Sequence, residues 1–417
     1  MNAGNAPTAA AAAQRRPRPK ILFVVTEDWY FCSHRLPMAR AARDLGCEVV
    51  VATRVDSHGE AIGAEGFRLV PLRRLDRRSA DPLREAAAVR ELYALYRRER
   101  PDLVHHVALK PVLYGALAAR LAGVPSVVNA LAGLGFVFAS ATPAARLLRP
   151  AVTSAFRFLL DRPGSRLLVQ NEDDRAFFAG SGLVAAERIA LVRGSGVDIA
   201  RLAPTPDPAA ADAGAVPIAA LVGRMLWDKG VGEAVEASRK LRQRGVALRL
   251  ALVGRPDPAN PRSIPEATLR GWQAEGVAEW WGHRDDIAEI WRHASIALLP
   301  SYREGLPKAL LEAAACGRPM LATDVPGCRE LVRHEANGLL VPVRDAAALA
   351  DALARLAADP ALRRRLGAAA RRTVEGEYAE TAIAGAVQAL YREMLGNAGA
   401  PAPQPPSAAR CHPPATA

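Results

Sequence analysis

The sequence predicts an α/β protein made of two Rossmann-like domains, each a parallel sheet covered by helices, that face each other across a deep cleft. Three observations predict this fold. The chain has 417 residues, which is too many for one ordinary hydrophobic core. Short apolar runs alternate with helical patterns rich in Ala, Leu and Arg, as in βαβ units. A stretch rich in Pro, Ala and Asp at 204–216 interrupts this alternation, which then restarts.

The first half of the chain predicts one such domain at 20–203, after a disordered tail at 1–19. Apolar runs too short for helices predict its strands at 21–25, 48–52, 68–71, 102–107, 126–130 and 166–170. Helical patterns between these runs predict helices at 34–45, 82–99, 112–122 and 143–161.

The second half predicts a second domain at 217–377, joined to the first by the linker at 204–216. Its strands are predicted at 217–222, 247–253, 278–281, 295–299, 319–322 and 338–341. Its helices are predicted at about 229–244, 264–275, 285–293, 307–316, 327–333, 345–357 and 360–374. A last helix at 378–396, with the length to cross back to the first domain, precedes a disordered tail at 397–417.

The composition narrows the classes of partner. A net charge of +12 indicates an acidic partner, namely phosphorylated substrates or an anionic membrane surface. Nucleic acid is not expected, because aromatic residues make up only 5% of the chain and do not alternate with basic ones. The five cysteines show no CxxC spacing, so neither a metal site nor a disulfide framework is expected, and no cofactor is expected either. No run reaches the roughly 18 apolar residues of a membrane span or resembles a signal peptide, which favours the cytoplasm.

The stretch from Pro300 to Glu312 is the richest in candidate binding residues. It follows a predicted strand and leads into a helix, and ligands of open α/β sheets bind at such positions. The free N–H groups of the helix start, next to Lys308, suit a diphosphate. Glu304 and Glu312 suit the vicinal hydroxyls of a sugar or ribose ring. A helix cap with a surface glutamate is the plain alternative for this pair alone.

Two further strand-to-helix turns carry similar chemistry. In the first, Gly223 permits close backbone approach, and Arg224 and Lys229 can neutralise a diphosphate without a metal. The spacing is not that of a Walker P-loop. In the second, Gly327 again begins a helix, with Glu330 one turn later.

Taken together, these turns resemble the retaining, family-four type glycosyltransferases, which have the GT-B fold. The matching pieces stand in the family's order across the C-terminal half: Gly223-Arg224 with Lys229-Gly230, Glu304 and Glu312 eight residues apart, Gly317-x-Pro319, Gly327 with Glu330, and Asn337-Gly338. The resemblance implies that Arg224 and Lys229 bind the diphosphate of a nucleoside-diphosphate sugar, and it favours UDP over GDP. It implies that Glu312 binds the ribose and Glu304 the sugar hydroxyls. It extends the donor site to His283, Gly305, Leu306, Pro307 and Lys308.

The N-terminal half matches this family less closely, since the turn after its first strand contains no glycine. It still resembles a branch that assembles surface polysaccharides, lipopolysaccharide, capsule and lipid-linked oligosaccharides. The resemblance implies an acceptor side, for a glycan or a lipid-linked glycan, that includes Asp28, Ser33, His34, His105, Lys110 and Asn129. A catalytic role is expected for Glu304, Arg224, Lys229 and His105.

Three alternatives remain open at this stage. A sugar-nucleotide epimerase of the same shape would turn over its substrate without an acceptor. A sugar-nucleotide-binding protein without activity would need a damaged donor site, and none is visible. An NAD-dependent oxidoreductase would need a GxGxxG turn after a strand, and neither half offers one. Helix 143–161, which mixes Arg with Leu, Val and Phe, favours peripheral association with the inner face of an anionic membrane.

Overall fold

The computed structural model describes residues 18–77, 81–131, 143–211, 215–258 and 260–396. Within 143–152 and at 211 it describes the backbone, and among these only the side chain of Pro150. The tail predicted at 397–417, and all but two residues of the tail predicted at 1–19, lie outside the described parts.

Seven parallel strands form the first sheet, in the order β3-β2-β1-β4-β5-β6-β7. Strand β1 is central, and Ile21 lies opposite Val49 of one neighbour and Leu103 of the other. The order reverses between β1 and β4, which is where ligands of such sheets bind. The strands are β1 (Lys20–Glu27), β2 (Glu48–Arg54), β3 (Arg68–Pro71), β4 (Leu103–Val107), β5 (Ser126–Ala130), β6 (Ser165–Val169) and β7 (Ile189–Leu191).

Six parallel strands form the second sheet, in the order β10-β9-β8-β11-β12-β13. Here the order reverses between β8 and β11, whose carboxyl ends carry the turns at Gly223 and Pro300. The two helix-covered sheets confirm the predicted α/β fold with two Rossmann-like halves. The strands are β8 (Ile218–Val222), β9 (Arg249–Val253), β10 (Glu279–Gly282), β11 (Ile296–Leu299), β12 (Met320–Thr323) and β13 (Gly338–Val341).

Helices cover both faces of each sheet, and several begin at side-chain caps. Asp345, for example, accepts the N–H groups of Ala347 and Ala348 at 3.0 and 2.9 Å, and so satisfies donors that the helix itself leaves free. The first-half helices are Asp28–His34, Leu36–Asp44, Gly59–Ala64, Pro82–Glu99, Leu109–Ala122, Pro143–Leu160 and Glu172–Gly180. The later ones are Pro208–Ala211, Val231–Gln243, Glu266–Glu275, Ile287–His293, Lys308–Ala315, Pro326–Leu331, Ala346–Ala358, Pro360–Glu377 and Glu380–Leu395.

The last helix, Glu380–Leu395, packs on the first sheet although it follows the second. Its residues Ile383, Val387 and Leu390 join the core formed by β1, β2 and helix Leu36–Asp44. The hydroxyl of its Tyr391 forms a hydrogen bond of 2.7 Å with Nδ1 of His105. The C-terminal end of the described chain therefore ties the two halves together.

The helix Pro143–Leu160 is less available to a membrane than the sequence suggested. Phe156 is fully buried and Leu159 is 6% exposed, because both pack against β6 and helix Glu172–Gly180. Phe158 is exposed, and the Arg120 guanidinium lies 4.2 Å from the centre of its ring. The side chains of Arg146, Leu147, Leu148, Arg149 and Val152 lie outside the described residues. No helix in the described ranges is both long and apolar enough to cross a membrane.

Candidate active site

The turn after β8 places Lys229 against the loop that carries Glu304. Gly230 ends the short turn Trp227–Lys229 with φ of 70°, and its Cα lies so close to Pro300 that a Cβ would be 2.0 Å from the Pro300 carbonyl oxygen. Only glycine permits this approach. As a result, Nζ of Lys229 lies 2.5 Å from Oε1 of Glu304. The Glu304 carboxylate is 11% exposed and the Lys229 side chain 23%.

The backbone of the Glu304 loop is held from both halves of the protein. On one side Gly327 lies beneath it, and a Cβ at that position would come within 2.3 Å of the Gly305 carbonyl oxygen. On the other side Nδ2 of Asn171 donates to the same carbonyl oxygen at 2.8 Å. The side chain of Leu306 packs on Gly194, which belongs to the segment after β7. The loop therefore depends on the relative position of the two halves.

The helix that follows presents Lys308 and Glu312 on one side. Pro307 occupies the N-cap position, one residue before the first helical turn in which the sequence analysis placed it. Nζ of Lys308 donates to the carbonyl oxygen of Ser33 at 2.5 Å and lies 3.6 Å from Oε1 of Glu312. Glu312 is buried, and burial raises its pKa, an effect that the Lys308 charge opposes.

His34 faces this group of side chains from the N-terminal half. Its ring stacks on Tyr30 with centroids 4.3 Å apart, and its Nδ1 lies 2.5 Å from Oγ of Ser33. It is the last residue of helix Asp28–His34, whereas the sequence analysis had placed it at a helix start. Both contacts fix the imidazole, because stacking sets the ring plane and the hydrogen bond sets its rotation.

His34 lies within electrostatic reach of several predicted donor residues. Burial lowers its pKa well below the ordinary value, and four nearby positive charges lower it further: Lys308, Arg35, Lys229 and Arg224. The imidazole is therefore neutral at pH 7. Three of these cations, Arg224, Lys229 and Lys308, belong to the predicted donor site, so their charges act on one imidazole of the opposite half.

Beside this group, a cleft of about 1130 Å³ separates the two halves. Its volume is ample for a nucleotide sugar. Gly223, Arg224 and His283 line it from the second half, and Glu27, Trp29 and Arg77 from the first. His283 is half exposed, with its Nε2 3.3 Å from Oδ1 of Asp285.

Asp257 is a residue of the cleft that the sequence analysis missed. Its Oδ2 accepts from Arg224 at 2.8 Å, and its Oδ1 accepts from Arg77 at 2.9 Å. Burial raises the pKa of Asp257, but these two guanidinium groups outweigh burial and hold it below its ordinary value. Its place just beyond the carboxyl end of a predicted strand was the signal that could have indicated it.

The structure corrects the expectations for His105 and Asn129. Both side chains are fully buried, so neither reaches a substrate in the cleft. Nδ1 of His105 bonds Tyr391, and its ring stacks on Phe23 with centroids 4.9 Å apart. Oδ1 of Asn129 lies 2.8 Å from Nδ1 of His106. The reason is topological: β4 and β5 are interior strands covered on both faces, so their side chains form core contacts.

Asp28 and Lys110 also serve the local structure. Asp28 is fully buried, and its carboxylate accepts the backbone N–H groups of Trp29, Asp56 and His58 at 2.7 to 2.8 Å. A direct contact of Asp28 with an acceptor is therefore wrong. Nζ of Lys110 donates to the carbonyl oxygen of Asp76 at 2.8 Å and to Glu85 at 2.7 Å.

Asp28→Asn is expected to lower the free energy of unfolding by about 2 kcal/mol at pH 7, because an amide cannot accept all three N–H groups. Burial raises the pKa of Asp28, but its three N–H donors outweigh burial and hold it below 3.8. Its stabilising effect is thus complete above about pH 4 and is lost as the pH falls through the folded-state value. Urea unfolding at pH 7 and pH 3 checks this: the difference from wild type should shrink at pH 3. Asp44→Asn, at an exposed site, is the control.

Metal ligands are not grouped in the parts of the chain that the structure describes: no three His, Cys, Asp or Glu side chains there lie close enough to hold an ion. The positive charges around His34 come instead from lysine and arginine side chains. They can stabilise an anionic leaving group directly.

Comparison with known proteins identifies the family. A family model described as "Glycosyl transferase 4-like" matches residues 20–165, and one described as "Glycosyl transferases group 1" matches residues 216–359. Together they cover both halves of the chain. The chain belongs to the family-four type glycosyltransferases. It is therefore an enzyme that transfers a glycosyl group, and the predicted resemblance is confirmed.

Two relatives of this glycosyltransferase align over most of their own lengths. A Campylobacter jejuni protein named N,N'-diacetylbacillosaminyl-diphospho-undecaprenol alpha-1,3-N-acetylgalactosaminyltransferase is 26% identical over 87% of the chain and 96% of its own. An Escherichia coli protein named UDP-Gal:alpha-D-GlcNAc-diphosphoundecaprenol alpha-1,3-galactosyltransferase is 26% identical over 68% of the chain and 74% of its own.

Solved structures confirm the GT-B fold of the enzyme. Sucrose-phosphate synthase from Thermosynechococcus elongatus superposes with a TM-score of 0.74, 22% identity and coverage of 90% of this chain and 99% of that one. Anabaena Alr3699/HepE, solved in complex with UDP-glucose, superposes with a TM-score of 0.70, 18% identity and coverage of 90% and 99%. At these identities the likeness bears on the fold alone.

Proposed function

We propose that this glycosyltransferase moves a hexosyl or N-acetylhexosaminyl unit from a UDP-sugar to an acceptor. The acceptor is a glycan or a polyprenyl-diphosphate-linked glycan, and the transfer retains the anomeric configuration. The product would belong to a surface polysaccharide. The observation that carries the proposal is the ion pair of Lys229 with Glu304, beside a helix whose Lys308 contacts the Ser33 carbonyl oxygen of the other half. The lipid-linked acceptor is supported by the names of both aligned relatives, and UDP by the name of the Escherichia coli one.

The proposal assigns the two halves different substrates. The limits 20–203 for an acceptor domain and 217–377 for a donor domain, with 204–216 as linker and 378–396 as a returning helix, are part of it. In the donor domain, Arg224, Lys229, Lys308 and the start of the helix Lys308–Ala315 bind the diphosphate. Glu304 binds hydroxyls of the transferred sugar, and Glu312 the ribose. In the acceptor domain, Ser33 and His34 lie next to Lys308 of the donor domain.

The chemistry follows from these charges. The bond between the anomeric carbon and the diphosphate oxygen breaks, and the acceptor oxygen forms its bond on the same face of the sugar. The acceptor proton passes to the departing phosphate oxygen, so that the nucleoside diphosphate leaves. Negative charge grows on the diphosphate in this step, and preformed cations at its site lower the barrier. No separate base is required, which agrees with the burial of His105.

The proposal is tested by a donor screen followed by a transfer assay. UDP and UDP-sugars should raise the melting temperature of the protein more than GDP and GDP-sugars, because a ligand that binds the folded state stabilises it. The donor selected in this way should then transfer its sugar to a synthetic polyprenyl-diphosphate-linked acceptor. NMR of the product should show the same anomeric configuration as in the donor. Turnover of the donor without any acceptor would favour the epimerase instead, and donor binding without either reaction would favour a binding protein.

Peripheral association with a membrane is the second part of the proposal. It is supported by the net charge of +12 and by the exposed Phe158 under the Arg120 guanidinium. The full chain should sediment with vesicles that contain phosphatidylglycerol at low salt, and less at high salt, because salt screens surface charges. Vesicles of phosphatidylcholine alone serve as the control. A chain that stays in the supernatant with anionic vesicles at low salt contradicts this part.

A further inference from the structure

A single carboxylate, that of Asp257, connects the two halves of the enzyme at the cleft. It is 9% exposed and accepts one hydrogen bond from Arg224 of the second half and one from Arg77 of the first. The two guanidinium groups therefore lie on opposite oxygens of one acid. Asp257 therefore links a guanidinium of the first half to a guanidinium of the second half.

The backbone around Asp257 is fixed relative to the turn that carries Arg224. The N–H of Asp257 donates to Oγ of Ser263 at 2.9 Å, and its carbonyl oxygen accepts from Asn260 at 2.8 Å. The same loop is joined to Met225, whose N–H donates to Arg255 at 3.0 Å and whose carbonyl oxygen accepts from Ile264 at 2.9 Å. The carboxylate is thus held at a set distance from the Arg224 backbone. It selects one orientation of the Arg224 side chain, which remains 43% exposed.

Arg77 is held with its guanidinium towards the cleft. Its Nε lies 3.6 Å from Oε1 of Glu27, at the end of β1, and its Nη2 reaches across to Asp257. An N–H···O hydrogen bond needs its donor and acceptor within about 3.2 Å, so the Arg77–Asp257 bond forms only when the two halves are close enough for Arg77 to reach across the cleft. The bond is therefore sensitive to the distance between the halves.

We propose that Asp257 is a positioning residue that orients Arg224 for the donor diphosphate and, through Arg77, makes this orientation depend on closure of the cleft. The inference rests on the proposed function, because it takes Arg224 as a ligand of the diphosphate. Asp257 accepts from Nη1 of Arg224, and a guanidinium has five N–H groups, so other N–H groups of Arg224 can donate to phosphate oxygens. Donor binding and closure then stabilise each other through one shared acid.

The charges support this assignment. Without the carboxylate, Arg77 and Arg224 would face each other as like charges, and Arg224 would be free to rotate into solvent. The Asp257 carboxylate neutralises part of the charge of Arg77 and Arg224. The positive charge that remains can bind an anion. The low pKa of Asp257 keeps it ionised throughout the neutral range.

The test is a double-mutant cycle on donor binding. Asp257→Asn, Asp257→Glu, Arg77→Gln and the double variant Arg77→Gln/Asp257→Asn are compared for the Kd of UDP, the KM of donor and acceptor, and kcat. We expect Asp257→Asn to raise the UDP Kd and the donor KM about tenfold and Arg77→Gln about threefold. The double variant should be no worse than Asp257→Asn, since Arg77 acts through Asp257. Asp257→Glu should regain at least half of the lost affinity on a logarithmic scale, and the acceptor KM should change less than twofold.

Arg239→Gln is the matched control, because Arg239 forms an exposed pair with Glu275 away from the cleft. It should leave the UDP Kd unchanged, and all variants should melt within about 2 °C of wild type. Multiplicative effects, with the double variant near thirtyfold, would overturn the inference, and so would an Asp257→Asn protein that binds UDP as wild type does. A wild-type protein that binds neither UDP nor GDP would instead contradict the proposed function, and the inference with it.

Discussion

Replacing Glu304 by Gln is expected to lower kcat/KM by about 100- to 1000-fold, the range for losing one electrostatic contact in a transition state. The substitution keeps the size of the side chain and removes its charge. The carboxylate that would bind the sugar hydroxyls then becomes a weaker acceptor. Lys229, whose Nζ lies 2.5 Å from it, also loses its ionised partner. Initial rates at varied donor concentration measure the effect.

The structure predicts that Glu304→Gln affects turnover of the sugar donor more than the binding of UDP. Because Glu304 would act on the sugar and not on the nucleotide, UDP should bind to Glu304→Gln within about threefold of wild type. The free energy of unfolding should fall by about 1–3 kcal/mol, because the pair is mostly buried and its hydrogen bond joins two charged groups. Glu275→Gln removes the acid of an exposed pair and should leave the rates unchanged. If Glu304→Gln keeps more than a tenth of the wild-type kcat/KM, the assignment of Glu304 to the donor site is wrong.

Most strands could be predicted because they are buried on both faces and so appear as continuous apolar runs. The segment 21–25 predicted β1, and the structure extends it to Lys20–Glu27. Strand β7 was not predicted, since Ile189–Leu191 is too short to stand out. The helix Asp28–His34 was also missed. Its aromatic residues and Cys32 show little helical periodicity, and Arg35 separates it from the next helix.

The donor loops could be placed from sequence because each follows a strand directly, whereas the acceptor side could not. Whether a residue at the end of a strand reaches the cleft depends on which helices cover the strand. His105 bonds Tyr391, which lies 286 residues later in the chain, and no local pattern records that contact. The pairing of Asp257 with Arg77 has the same origin: the two residues come from different halves, 180 positions apart.

Gly327→Ala is expected to reduce kcat/KM at least 100-fold without adding or removing any polar group. An alanine Cβ at this position would lie 2.3 Å from the Gly305 carbonyl oxygen and 2.8 Å from that of Glu304. Both neighbours are backbone atoms, so the whole loop has to move. A displacement of about 1 Å is enough to separate Glu304 from Lys229 and to lower the rate by about two orders of magnitude. The overpacking should also cost about 1–3 kcal/mol of stability, measured by urea unfolding.

Gly271→Ala is the control that separates this effect from helix propensity. Gly271 lies within the helix Glu266–Glu275, and no atom lies within 4 Å of where its Cβ would be. Alanine there should stabilise the protein by about 0.5–1 kcal/mol and leave the rate unchanged. Because the atoms that the new methyl group would meet belong to the backbone of the Glu304 loop, the loss of activity is expected to act through the position of Glu304. Retention of wild-type activity would show that this contact does not set the position of the loop.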